Sequence, residues 1–145
     1  MKALIVTSPA FQPNQTIPEK YTCDGTNPPL KIEDVPEGTR SLALVFDDPD
    51  APSGTFDHWI VWNIPPSHRE IAEHSIPGVE GLNSDQLHGY IGPCPPPGNP
   101  HRYTFKVYAV DTELALSANS DKKTLQEALK GHVLAEGKLI GLYGR

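Results

Sequence analysis

Apolar and polar positions alternate with a period of two along much of this chain, in short runs bounded by proline and glycine. Residues 102–111 do so most clearly: Tyr103, Phe105, Val107 and Ala109 share one face and read as core, while Thr104, Lys106, Tyr108 and Val110 share the other. Residues 3–7 and 41–47 are apolar on both sides, which places them inside a sandwich or beneath a helix; Leu42, Leu44 and Phe46 fall opposite Ala43 and Val45. Residues 58–64 form another strand, stopped by Pro65 and Pro66, which cannot donate to a central ladder. Strict alternation there sets His58, Ile60 and Trp62 against Trp59, Val61 and Asn63. A last strand is expected over 133–143. Helical spacing is convincing once, at Leu125, Ala128 and Leu129, with Ser120 or Asp121 to cap and Gly131 to end the helix. Residues 11–36 and 74–100 have few apolar periods and many turn formers, and loops of that length are functional or held down. The pattern predicts a mostly-β chain with one or two short peripheral helices.

The 145 residues suit one domain, 1–145, able to bury about two thirds of its unfolded surface without metal or disulfide help. A net charge of -6 leaves no basic stripe, so no nucleic-acid partner is expected. Near the N-terminus the apolar run, Ala3 to Val6, is shorter than a signal-peptide core or a membrane span, and a cytoplasmic protein is expected. Cysteines in such a protein are usually reduced, yet Cys23 and Cys94 lie in the two longest loops, which leaves a bridge open.

Four features that could carry chemistry sit at strand ends: the acidic turn Asp47-Asp48-Pro49-Asp50-Ala51-Pro52, His58, the loop from Gly92 to Gly98, and His101-Arg102-Tyr103. Rigid β scaffolds present ligand groups at such ends, so convergence of the four would make a pocket. Alternation turns His101 and Tyr103 one way and Arg102 the other, toward a structural salt bridge. Two imidazoles, a phenol and nearby backbone amides suit phosphate or carboxylate oxygens, with Asp48 acting on the histidines. A carboxylate on one ring nitrogen favours the charged ring, so dianion binding is expected to strengthen as pH falls toward about 6. The acidic turn also reads as a rigid corner whose carboxylates, Asp50 included, cap backbone amides, and the proline loop as a stiff spacer. His68, His74, His88 and His132 lie in polar surroundings without partners at catalytic spacing and read as surface residues. No nucleophile elbow, phosphate loop, metalloprotease helix or dinucleotide glycine motif occurs, so no enzyme activity is expected. Asp48, Asp50, His58 and His101 could in principle ligate zinc or manganese, but they lack tight ligand-pair spacing; no metal or cofactor is expected.

At these residues the chain resembles the phosphatidylethanolamine-binding family, also called Raf kinase inhibitor protein-like, especially its bacterial and archaeal branch. The segments that carry the resemblance, in the family's order, are Tyr21-Thr22-Cys23-Asp24-Gly25, Asp48-Pro49-Asp50-Ala51-Pro52, His58-Trp59-Ile60-Val61, Tyr90 through Gly98, and His101-Arg102-Tyr103. The run from Gly131 to Glu136 looks like the same branch. Two departures touch the pocket rim: Asn27-Pro28-Pro29-Leu30 is tighter than the usual pattern, and Ile32 stands where Trp is common. The resemblance implies an antiparallel β-sandwich with a shallow anion pocket formed by Asp48, His58, Tyr90, His101 and Tyr103 and walled by Pro52, Pro95 and Pro96. It also implies a small anionic ligand such as a phospholipid headgroup, or alternatively a protease or kinase target held through protein contact. A homodimer is compatible with this reading. The acidic surface predicts weak or no membrane association.

Overall fold

The long alternating segments build the centre of a computed structural model that describes residues 2–145. In chain order the strands are β1 (Lys2–Ala3), β2 (Ile5–Thr7), β3 (Leu30–Glu33), β4 (Ser41–Asp48), β5 (Phe56–Ile64), β6 (Glu70–Ile71), β7 (Val79–Glu80), β8 (His101–Val110) and β9 (Val133–Tyr143), with a short 3-10 helix at Glu19–Tyr21 and an α-helix, α1 (Lys122–Leu129), between the last two strands. They form a six-stranded sheet in the order β1-β9-β8-β4-β5-β7 and a three-stranded sheet in the order β2-β3-β6.

β4 lies between β5 and β8 and is buried at every position, which explains its two apolar faces. One face sends Leu42, Leu44 and Phe46 into a core shared with Trp59, Val61, Phe105 and Val107, closed by Val6, Leu30, Ile32 and Ile71 of the small sheet. The other face puts Ala43 and Val45 beside Ile60, Trp62 and Val110, covered by Leu125 and Leu129 of α1. The helix starts as expected: Asp121 Oδ1 accepts from the Thr124 backbone N–H at 3.0 Å. Lys122 then reaches to 2.7 Å from Asp57 and 3.4 Å from buried Asp47, tying the first turn of the helix to β4 and β5.

Three expectations change. The run 3–7 is two strands, not one, because the chain crosses between sheets at Leu4, whose N–H donates to the Glu136 carbonyl at 2.9 Å. That crossing presses on Gly137, where a Cβ would lie 2.3 Å from the Leu4 carbonyl oxygen. The large sheet is also not wholly antiparallel, since β1 runs parallel to β9. The segment 11–36 conceals β3, whose Leu30 and Ile32 face in while Lys31 and Glu33 face out, a run of four residues too short to stand out from its surroundings. No helix among the described residues is long and apolar enough to cross a membrane.

Phe46 is fully buried and stacks on Phe105 with ring centroids 3.8 Å apart. Phe46→Ala is expected to destabilise the chain by about 3–5 kcal/mol, read as a lower urea midpoint with an unchanged slope.

Candidate functional site

β4, β5 and β8 end together at one edge of the sandwich. Asp48 follows Phe46 by two residues, and Tyr103 and His101 precede Phe105 by two and four, so alternation delivers all three to the face that carries the aromatic core. His58 reaches that face by a different route. Phe46 pairs with Trp59 and Asp47 with Asp57, leaving His58 as the extra residue of a bulge. Its ring lies 5.5 Å from those of Phe46 and Tyr103, on the side opposite the one that unbroken alternation predicts.

These ends enclose a cavity of about 190 Å³ lined by Asp48, His58, His101 and Tyr103 and walled by Pro52, Phe56, Ile91, Cys94, Pro95 and Pro96. His101 Nδ1 donates to Asp48 Oδ2 at 2.7 Å, and Asp48 Oδ1 accepts from the Asp50 backbone N–H at 2.8 Å. His58 Nδ1 donates to the Ile91 carbonyl at 2.8 Å. Carboxylate and carbonyl oxygens only accept, so each ring carries its proton on Nδ1 and, when neutral, a lone pair on Nε2. Among the described residues neither Nε2 has a protein hydrogen-bond partner. Burial pushes the His58 imidazole below its ordinary value, against the pull of the Ile91 carbonyl and the Asp48 charge. Burial, reinforced by the charge of Asp48, pushes the Tyr103 phenol up, so its hydroxyl stays protonated.

Arg102 turns away from the cavity, as alternation predicts. Its Nη2 and Nε hold the two carboxylate oxygens of Asp50 at 2.8 and 3.0 Å, and its backbone N–H adds a third bond at 2.8 Å. These hydrogen bonds lower the Asp50 carboxyl to about 2. Asp50 therefore belongs to the corner and not to the pocket. His68, His74, His88 and His132 are all exposed. Among the described residues no three His, Cys, Asp or Glu side chains converge in an arrangement that could hold a metal ion.

Tyr90 requires correction as a ligand-binding residue. Its ring stacks on Phe46 at 5.6 Å and its hydroxyl donates to the Tyr21 carbonyl at 2.7 Å, so it braces the core behind the cavity and does not line it. The sequence reading also missed Phe56, whose ring lies 4.8 Å from that of His58, and the Ile91 carbonyl, since a backbone acceptor leaves no mark in residue type. Cys23 and Cys94, for which the sequence leaves both the reduced state and a bridge open, are joined in a disulfide with Cα atoms 4.6 Å apart.

A two-sheet sandwich with a small histidine- and tyrosine-lined cavity at the strand ends defines a class of ligand-binding β proteins. The family model for phosphatidylethanolamine-binding protein matches residues 7–144. A UPF0098 protein of Pyrococcus horikoshii is 48% identical over 99% of this chain and 78% of its own length. Another, of Methanothermobacter thermautotrophicus, is 48% identical over 94% of this chain and 95% of its own. Among solved structures, a putative phosphatidylethanolamine-binding protein homolog from Chlamydia trachomatis aligns with a TM-score of 0.94 at 40% identity, covering 100% of this chain and 99% of that one. YbcL of E. coli, described as a member of the mammalian PEBP family, aligns at 0.89 and 29% identity, covering 98% of both chains. The chain belongs to the phosphatidylethanolamine-binding protein family.

The Asp50 carboxyl titrates lower in the folded chain than in the unfolded one. Its contribution to stability is therefore present above about pH 4 and fades as pH falls toward about 2. Asp50 and Arg102 are 30% and 61% exposed, so solvent screening keeps the contribution of the pair small. Asp50→Asn should lower the urea midpoint slightly at pH 7, with the gap to the native chain closing between about pH 4 and 2.

Proposed function

We propose that the chain is a binding protein for small anions of the phosphate or carboxylate kind, which holds its ligand and does not break it. The observation that carries this reading is a pair of imidazoles, each fixed through Nδ1, that share a cavity with the Tyr103 hydroxyl while the nearby guanidinium is occupied by Asp50.

When neutral, both rings offer lone pairs, so a fully ionised anion meets two acceptors and one hydroxyl donor. Binding then proceeds in one of two equivalent ways: the ligand supplies a proton, as hydrogen phosphate does, or a ring takes one up and donates through Nε2. At His101 the Asp48 carboxylate compensates the new charge across a 2.7 Å hydrogen bond. At His58, whose Nδ1 partner is the neutral Ile91 carbonyl, the ligand would add its charge to the pull of Asp48. Pro52, Phe56, Pro95 and Pro96 form an apolar rim, and a cavity of about 190 Å³ has room for a phosphate with a short substituent, such as a phosphoethanolamine headgroup, but not for acyl chains. Ser53 lies outside the cavity lining and Cys94 is tied up in the disulfide, so neither stands beside an imidazole as a nucleophile.

Calorimetric titration with phosphate, phosphoethanolamine and ethanolamine at pH 6 and 7.5 tests the proposal. Both phosphate-bearing ligands should bind with saturation at one site, and ethanolamine should not bind. The His58 ring starts below its ordinary value and an anion raises it; protons are taken up, and affinity is expected to increase as pH falls. His101→Ala should weaken binding by roughly tenfold or more, the worth of one charge-assisted hydrogen bond. Absence of binding by either phosphate compound at both pH values would sink the reading.

A further inference from the structure

We infer that the Cys23–Cys94 disulfide is a redox control on the anion pocket: closed, it fixes one wall of the cavity, and its reduction by a dithiol loosens that wall and weakens anion binding. The inference rests on the binding function proposed above and adds its regulation.

The wall in question, residues 91–100, has no helix or strand of its own. It supplies the Ile91 carbonyl that sets the His58 tautomer, and Pro95 and Pro96 that face the ligand space. Pro93, Pro95, Pro96, Pro97 and Pro100 make up five of its ten residues, and none of them has an N–H with which to fasten the segment to its surroundings. Gly92, Pro93 and Pro95 are buried, and the segment is fastened by Ile91 N–H to the His58 carbonyl at 3.0 Å, His58 Nδ1 to the Ile91 carbonyl at 2.8 Å, Cys23 N–H to the Pro93 carbonyl at 2.9 Å, a terminal tie in which Arg145 Nε donates to the Pro95 carbonyl at 2.6 Å and Gly98 N–H to the Arg145 carbonyl at 3.1 Å, and the disulfide.

The disulfide also secures the Cys23 anchor. Cys23 sits at φ +51°, a left-handed conformation that non-glycine residues rarely adopt. Its backbone lies against Gly92, where a Cβ would come within 2.6 Å of the Cys23 carbonyl oxygen. Cutting the bridge frees Cys23 to leave that conformation and to withdraw its N–H from Pro93. The stiff proline run then carries the displacement into Pro95 and Pro96.

The bridge is open to exchange. Cys94 is exposed and Cys23 half-buried, so the thiolate of a small or protein dithiol can attack the Cys94 sulfur, releasing Cys23 as a thiol. The second thiol of the reductant then resolves the mixed disulfide. Two electrons pass to the protein, leaving Cys23 and Cys94 as thiols and the dithiol oxidised.

Inorganic phosphate is titrated calorimetrically into the oxidised, dithiothreitol-reduced and reoxidised chain, and into the Cys23→Ser/Cys94→Ser variant, with circular dichroism reporting the fold. Exchange of the His58 Nδ1–H, followed by NMR in the same samples, gives a readout independent of phosphate. Reduction is expected to weaken phosphate binding by roughly fivefold or more, the low end of coupling between linked sites, with recovery on reoxidation and faster His58 Nδ1–H exchange in the reduced form. Equal phosphate affinity in the folded oxidised and reduced chains overturns the inference, and so does loss of the fold on reduction, which makes the bridge a stability staple. Should the oxidised chain not bind phosphate, the binding function itself fails, and unchanged His58 Nδ1–H exchange on reduction then overturns the redox control separately.

Discussion

β5 carries one residue more than β4 between two paired positions, and the site depends on that surplus. Asp57 stays opposite Asp47, where Lys122 can bridge both carboxylates and hold the start of α1. Trp59 stays opposite Phe46 in the aromatic core. Between these two pairs the extra residue, His58, is released from the ladder's alternation, and it turns to the face where Asp48, His101 and Tyr103 already point. Without the bulge, either His58 would face the helix or Trp59 would leave the core. One local irregularity thus lets a strand serve two packing layers and a ligand cavity at once.

The cavity's polarity follows from how its charges are already engaged. Arg102, the closest guanidinium in sequence, is held by three hydrogen bonds to Asp50 on the far side of β8. Asp48 is 3% exposed and faces His101, so the one fixed charge at the cavity is negative. Under the proposed function, such a pocket would gain its affinity for anions through protons and not through standing positive charge. That distinguishes it from arginine-lined phosphate sites, where the cation is present before the ligand arrives.

Much of this was legible in the residues. The alternation of 102–111 and the two-faced apolarity of 41–47 identify the central strands within a residue, and strand-end placement brings Asp48, His101 and Tyr103 together. What was not legible had specific causes. His58 lines the cavity as expected, but strict alternation groups it with Ile60 and Trp62, because a bulge has no periodic signature. Tyr90 was carried to the pocket by its position in a shared segment, whereas its ring is long enough to fill the core behind Phe46. β3, β6 and β7 are two to four residues long, below the length at which a period of two can be recognised. The pairing of Cys23 with Cys94, 71 residues apart, depends on the folding of everything between them.

The crossing at Leu4 has a bearing on how the molecule opens. Within three consecutive residues, Ala3 pairs with β9 of the large sheet, Leu4 donates to Glu136, and Ile5 pairs with Glu33 of the small sheet. The two sheets therefore share a covalent hinge one residue long, sealed against Gly137. Neither sheet can shed its edge strand without straining the other, which merges them into one cooperative unit.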